Sequence, residues 1–195
     1  MKRLFDIVFS SIGLILTAPI LLIIAILIKL DSKGPVFYKQ VRVGKHDKDF
    51  KIFKFRTMHV DSDRLGLLTV GDRDPRVTKV GYTLRKYKLD ELPQLINVFL
   101  GNMSFVGPRP EVRKYVDMYS ESDKEILNVK PGITDYASIK YRDEAEVMKA
   151  SDNPEETYIN DIMPEKIKLN KVYIENYSLV TDIKIILLTF KAILS

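Results

Sequence analysis

The sequence predicts an α+β fold, mainly helical with a small β-sheet or hairpin, carried on an N-terminal membrane segment. Three observations lead there. A charge-free run of 22 residues, Ile7 to Ile28, contains seventeen Ala, Val, Ile, Leu or Phe. Two short β-forming stretches, Val36 to Val43 and Phe50 to Thr57, flank the turn-forming Gly44-Lys45-His46-Asp47. Further on, apolar residues recur mainly at helical spacing.

The N-terminal run reaches about 33 Å as a straight helix at 1.5 Å per residue. That is enough for a hydrocarbon core of roughly 30 Å. No A-x-A-like cleavage site follows, and the run is too long for a typical signal core, so a retained segment is expected. Pro19, which follows Ala18, lacks an N–H and clashes with the carbonyl of Ile15, so a bend or break is expected there. Each arm is then about 12 residues or fewer, too short to cross. Lys2 and Arg3 precede the run; Lys29 and Lys33 follow it. The positive-inside tendency favours both ends on the cytoplasmic side. A re-entrant hairpin satisfies both observations and a straight span satisfies the length; the residues alone leave both open.

From Lys29 to Arg56 nine basic residues face three acidic ones, a local +6 that exceeds the whole-chain +5. Such a strip beside a membrane segment suits anionic headgroups; nucleic acid is disfavoured, since phosphate contacts need no membrane anchor. Asp31 to Pro35 is a turn signal. Arg56 to Pro75 reads as a polar loop, Val80 to Tyr87 as a helix, and Asp90 to Leu100 as a helix with acidic residues in its first turn. Glu111 to Val129 is expected to be helical, and Pro131-Gly132 a turn. Lys140 to Glu165, with eight acidic and three basic residues, reads as a mobile surface segment with helical turns. Lys166 to Asn176 and Ser178 to Leu194 read as helices. The latter carries an apolar stripe of Leu179, Ile183, Ile186, Leu187, Phe190 and Leu194, suited either to a bilayer surface or to a core.

At 195 residues, with 46% hydrophobic and 29% charged, the chain is too apolar for wholesale disorder and too charged for a multi-span transporter. The absence of cysteine excludes a disulfide scaffold, a thiolate zinc site and a cysteine nucleophile. With only His46 and His59, a multi-histidine metal site is excluded.

Chemistry concentrates in two strings. In Tyr82 to Glu91, YTLRKYKLDE, three cations (Arg85, Lys86, Lys88) precede an Asp-Glu pair. Adjacent carboxylates suit a hard divalent cation that keeps waters for bridging to phosphates, and a carboxylate can attack phosphorus as a covalent nucleophile. For a bare Asp-Glu pair, an acidic helix cap with neighbouring surface ion pairs is much the commoner explanation; the second string shifts that balance. In Gly101 to Pro110, GNMSFVGPRP, Arg109 stands between two prolines. Proline stiffens its own backbone and the residue before it, and a pre-set guanidinium fork fits phosphate oxygens. The D-x-D patterns Asp61-Ser62-Asp63 and Asp72-Arg73-Asp74 are weaker metal candidates in loop-like sequence.

Together the strings KRLFDIVFS at the start, FKIFKFRTM at 50–58, DPRVTKVGYTLRKYKLDELPQLINVFLGNMSFVGPRP at 74–110, PGIT at 131–134 and the terminal YIENYSLVTDIKIILLTFKAIL resemble the bacterial sugar transferase family, in its small monotopic phosphoglycosyl transferase form. The resemblance covers almost the whole chain. It implies a re-entrant helix-break-helix over 1–30, bent at Ala18 and Pro19, interfacial amphipathic helices, and a membrane-associated catalytic domain over 31–195 on the cytoplasmic face of the bacterial inner membrane. It also implies transfer of a sugar-1-phosphate from a UDP-sugar to undecaprenyl phosphate, with release of UMP and a requirement for Mg²⁺, as the first membrane step of glycoconjugate assembly. Asp90 matches the family nucleophile, and Glu91 the second dyad residue, which would hold Mg²⁺ with it. Arg85 and Arg109, and more weakly Arg76, Arg56 and Arg142, would contact phosphate or nucleotide. Anionic lipids are implied partners and a homo-oligomer is compatible.

Two departures stand out: Ala18, where relatives more often place serine, and DYASIKYRDE after PGIT, which bears on donor specificity. The competing readings are a metal-dependent glycosyltransferase using Asp61 and Asp63 and releasing UDP, and a basic membrane-surface adaptor without catalysis.

Overall fold

The computed structural model describes residues 1–62 and 74–194. Helix α1, Lys2–Asp31, is the one helix among them long and apolar enough to cross a membrane. It remains a single helical element with Pro19 inside, so of the bend or break expected there the break does not occur. Hydroxyls assist its carbonyls in the first half: Ser11 donates to Ile7 (2.7 Å) and Thr17 to Gly13 (2.6 Å). Bonds of this kind bend helices without ending them.

One side of α1 lies along the rest of the molecule and the other is bare. At its start, Lys2 pairs with the buried Asp182 and donates to the Val106 carbonyl (3.1 Å). Arg3 donates to the carbonyls of Val98 and Phe99 (2.6 and 2.7 Å). Asp6, 2% exposed, accepts from the Ser104 hydroxyl (3.0 Å) and the Phe105 N–H (3.3 Å). In its middle, Gly13 is so close to Leu95 that an added Cβ would meet Leu95 Cδ1 at 3.2 Å. At its end, Asp31 accepts from the Val80 N–H (3.1 Å), while Ile24 and Ile28 join Phe55 and Leu84 in a core cluster. The outer side exposes Leu4, Ile12, Ile15, Leu16, Leu22 and Leu30, among others.

Strands β1 (Phe37–Val43) and β2 (Asp49–Phe55) form the expected antiparallel hairpin, with Phe37 opposite Phe55 and Val43 opposite Asp49. The turn places His46 and Asp47 at positive φ. Helix α2 is Lys79–Lys86, capped by the Thr78 hydroxyl. The Asp90 to Leu100 helix is divided: a 3₁₀ turn, Leu89–Glu91, precedes α3, Gln94–Leu100. Two three-residue strands, β3 (Ser104–Val106) and β4 (Gly132–Thr134), pair in parallel. Gly107 and Gly132 permit this approach, since a Cβ on either would run into the other's backbone.

Two further expectations fail. Glu111 to Val129 is not one helix: it contains α4 (Arg113–Val116) and a 3₁₀ turn at Lys124–Asn128. Nor is the acidic 140–165 stretch a loose surface segment. It folds into the end of α5 (Tyr136–Lys140), α6 (Glu144–Lys149), α7 (Pro154–Thr157) and a π-turn, Tyr158–Ile162. Its Met148, Tyr158 and Ile162 pack with Val112, Tyr115 and Ile126 in the largest core cluster. Burying those apolar residues outweighs the polar composition around them. Helix α8, Met163–Glu175, continues from the π-turn. In α9, Leu179–Leu194, the core face carries Asp182 and Ile185, leaving Ile183, Leu187 and Phe190 of the apolar stripe exposed.

Candidate active site

The site is built where β2, the 89–91 turn and the proline-framed loop meet. Lys88 adopts a left-handed conformation (φ 54°), which turns the chain between α2 and the 3₁₀ element. Asp90 and Glu91 then line a cavity of about 630 Å³, together with Lys54, Arg85, Lys88 and Arg109. A shallower groove of about 540 Å³ between Tyr119 and Lys171 lacks such an acid pair.

The two carboxylates differ. Glu91 accepts from Lys54 Nζ (2.9 Å) and from both terminal nitrogens of Arg109, one at 3.1 Å. Burial opposes its ionisation, yet the Arg109 and Lys54 charges overcome it and hold its carboxyl well below the usual carboxylate range. Asp90 is 9% exposed and has no ion pair or hydrogen bond from its carboxylate among the described residues. Burial, reinforced by the neighbouring Glu91 charge, pushes its pKa up; Lys54, Arg85 and Lys88 moderate the rise. Burial also lowers the pKa of Lys54, against the pull of Glu91. One acid is therefore pinned and charged, the other free and poised for exchange.

Asp135 positions Arg109. Fully buried, it accepts from the Arg109 N–H (2.9 Å) and caps α5 through the Ser138 N–H (2.5 Å). Beside it, Arg42 donates to Glu111 (3.1 Å) and to the Pro110 carbonyl (3.1 Å), and Tyr158 donates to Glu111. The lining carries seven cationic and five acidic side chains, a surplus that suits a diphosphate.

Of the residues singled out from the sequence, Asp90, Glu91, Arg85 and Arg109 converge here. Arg142 also lines the cavity, but it donates to the Ala192 carbonyl. Two arginines do not belong. Arg56 is 5% exposed and spends its donors on Ser32, Lys33 and Pro35, closing the end of α1. Arg76 grips Asp74 (2.9 and 2.5 Å) in the loop before α2. Ala18 and Pro19 sit within α1, outside the cavity lining. Asp63 and Asp72 of the D-x-D patterns lie outside the described residues, and Asp61 does not line the cavity. Sequence reasoning missed Lys54 and Arg42. Their signal was the alternation of the hairpin, where Lys54 shares a strand face with the buried Ile52.

For a hard cation the cavity offers two carboxylates, and no cluster of three His, Asp or Glu occurs among the described residues. Such a pair fits an ion that completes its shell with water and phosphate oxygens.

An acidic dyad inside a cation-rich cavity, on a helical protein with an exposed apolar helix side, is chemically suited to handling phosphate. The chain belongs to the bacterial sugar transferase family, whose model matches residues 1–195. It is 40% identical, over its full length, to the UDP-N-acetylgalactosamine-undecaprenyl-phosphate N-acetylgalactosaminephosphotransferase of Aeromonas hydrophila. It is 42% identical over 96% of its length to the UDP-glucose:undecaprenyl-phosphate glucose-1-phosphate transferase of Klebsiella pneumoniae. It spans 44% and 39% of those two relatives. The sugar transferase EpsL of Bacillus subtilis, described as uncharacterized, is 38% identical and is 87% covered.

Proposed function

We propose that this protein transfers a sugar-1-phosphate from a UDP-sugar to undecaprenyl phosphate and releases UMP, at the membrane step that begins glycoconjugate assembly. The observation that carries this is the asymmetry of the dyad: a partnerless Asp90 beside a Glu91 locked by Lys54 and Arg109.

In this scheme an Asp90 carboxylate oxygen attacks the β-phosphorus of the donor. The bond from that phosphorus to the bridging oxygen breaks, UMP leaves with the electron pair, and the sugar phosphate becomes an ester of Asp90. A phosphate oxygen of the lipid then attacks the same phosphorus, and the Asp90–phosphorus bond breaks to return the carboxylate. Nucleophilicity needs Asp90 ionised, and the Lys54, Arg85 and Lys88 charges around it favour that form. Arg85, Lys88 and Arg109 neutralise charge gathering on the diphosphate and the departing UMP. Mg²⁺, held by Asp90 and Glu91, would supply further neutralisation of phosphate charge.

The membrane placement follows from α1. Its start, middle and end all rest on one side of the same domain, so a perpendicular crossing would drag that domain into the bilayer. A 30-residue helix, about 45 Å long, embedded along one side or re-entering at a Pro19 bend, would keep the domain on one face of the membrane; the basic flanks Lys2, Arg3, Lys29 and Lys33 favour the cytoplasmic one. The exposed Ile183, Leu187 and Phe190 of α9, with Phe99 and Leu100 of α3, offer further apolar surface to a bilayer.

The deciding experiment supplies UDP-sugars with Mg²⁺ and undecaprenyl phosphate in nanodiscs. UMP, not UDP, is the expected nucleotide product, and Asp90→Asn abolishes it. UDP release would point instead to a conventional glycosyltransferase, and no turnover to an adaptor. Rapid-quench mass spectrometry with donor alone should find the phosphosugar on Asp90.

A further inference from the structure

The cavity has a second polar feature that the dyad chemistry does not use. Helices α5 and α8 form one of its walls, where Ser138 and Asn170 reach the lining. Asn170 is 5% exposed, and among the described residues neither its Oδ1 nor the Ser138 hydroxyl has a hydrogen-bond partner. A buried amide oxygen left unpaired is a standing cost to the fold, so its retention asks for a ligand. The walls beside it are apolar, with Ala137, Met148 and Ile167 among them. The charges nearby are engaged, Lys166 with Glu144 and Arg142 with the Ala192 carbonyl. The π-turn that leads into α8 is a local irregularity of the kind found at functional sites.

This wall is rigidly tied to the dyad. Asp135 holds the Arg109 backbone with one carboxylate oxygen and the Ser138 N–H with the other, while Arg109 grips Glu91. A reacting β-phosphorus at Asp90 carries two substituents, a charged nucleotide and a neutral sugar. The cation-rich side formed by Arg85, Lys88 and Lys54 suits the first. The wall whose charges are already engaged, with its two unspent hydrogen-bonding groups, suits the second.

We infer that Asn170 and Ser138 form the subsite that reads the sugar of the donor. The Asn170 amide oxygen accepts from a sugar O–H or N–H, Ser138 bonds a neighbouring hydroxyl, and Ala137 and Met148 cover an apolar sugar face. This assignment rests on the reading above and supplies its specificity element. It also gives a role to the DYAS string, since Asp135 and Ser138 are two of its four residues.

The test measures UMP release by the full chain in nanodiscs with Mg²⁺ and undecaprenyl phosphate. The donors are UDP-glucose, UDP-galactose, UDP-N-acetylglucosamine and UDP-N-acetylgalactosamine. Wild type should prefer one donor. In Asn170→Leu and Ser138→Ala the kcat/KM ratio of best to second-best donor should fall roughly tenfold. Inhibition by UMP, which has no sugar, should stay unchanged. The melting temperature of Asn170→Leu should hold or rise, because an unpaired polar atom has been removed. If Asn170→Leu misfolds, Ser138→Ala alone decides by the same ratio. Unchanged donor ratios in an active enzyme, as a merely water-satisfied amide would give, overturn the subsite and leave the proposed function standing. A loss of UMP inhibition parallel to the loss of turnover overturns it in favour of a nucleoside contact. A wild type silent on every donor removes both readings together.

Discussion

Asp90→Asn should make the protein more stable as well as inactive, and the gain should depend on pH. Asp90 is 9% exposed, and among the described residues no hydrogen bond or ion pair to its carboxylate compensates that burial. Burial and the Glu91 charge raise its pKa above the ordinary 3.8. A raised folded pKa means that the fold favours the neutral acid. That preference is fully present below about pH 3.8 and is lost as pH rises through the folded value. Above it, wild type carries an unpaired buried charge that the isosteric amide lacks. Lys54, Arg85 and Lys88 offset part of the penalty, so the gain is on the order of 1 kcal/mol. In a chain of this size that corresponds to about 2–4 °C in melting temperature. Thermal unfolding in one detergent, scanned from acid to pH 8, measures it: the two proteins should coincide at the acid end and separate as pH rises. A variant less stable at pH 8, or a gap that ignores pH, would refute the picture of Asp90 as a strained, partnerless carboxylate.

Four further outcomes follow from the same geometry. Lys54→Met should lower kcat/KM by roughly ten- to a hundredfold; it should also move the acid limb of the pH–rate profile upward, because Lys54 helps keep Asp90 ionised. Arg109→Lys replaces a fork on both Glu91 oxygens by a single point charge. The expected loss is about tenfold in kcat/KM, with a melting shift below about 4 °C because Lys54 still holds Glu91. Asp182→Asn leaves Lys2 without its buried partner and should cost about 3 kcal/mol, read as a drop of roughly 6–12 °C. Cysteines placed at position 2 and near 195 should both resist an impermeant thiol reagent in intact cells; labelling of one end alone would indicate a span.

Much of this was legible before any coordinates. The apolar run, the hairpin and the terminal amphipathic helix all announce themselves by composition and period, and the dyad and Arg109 by their unusual neighbours. The failures share one cause, which is tertiary context. Strands β3 and β4 are three residues each and exist because Gly107 and Gly132 let two backbones meet. The 140–165 stretch looked solvated because its charges outnumber the few apolar residues that do the packing. The family resemblance offers Arg56 as a weaker phosphate contact. In the fold it is spent on main-chain carbonyls at the end of α1. Lys54, by contrast, stood in plain view but needed a register before it could be turned inward. Pairing geometry decides such cases, and a single sequence does not contain it.

Under the proposed function, the same contacts would let one cavity serve a water-soluble donor and a lipid acceptor in turn. Leu92 and Leu95 line the cavity, directly after Glu91 in the chain. Leu95 is also the residue against which Gly13 of α1 rests. The wall between reacting centre and membrane helix is therefore one side chain thick at that point. Arg3 fixes its far end by binding the last carbonyls of α3, whose Phe99 and Leu100 are exposed. Under the proposed function, a polyprenyl tail lying along α1 and α3 would bring its phosphate toward Asp90 in apolar contact, with the nucleotide entering from the cationic side. A covalent intermediate suits such a site, because donor and acceptor need never be bound at once. Widening that wall by Leu95→Ala should slow the second half-reaction, lipid attack on the aspartyl ester, more than the first, and rapid quench with and without acceptor separates the two.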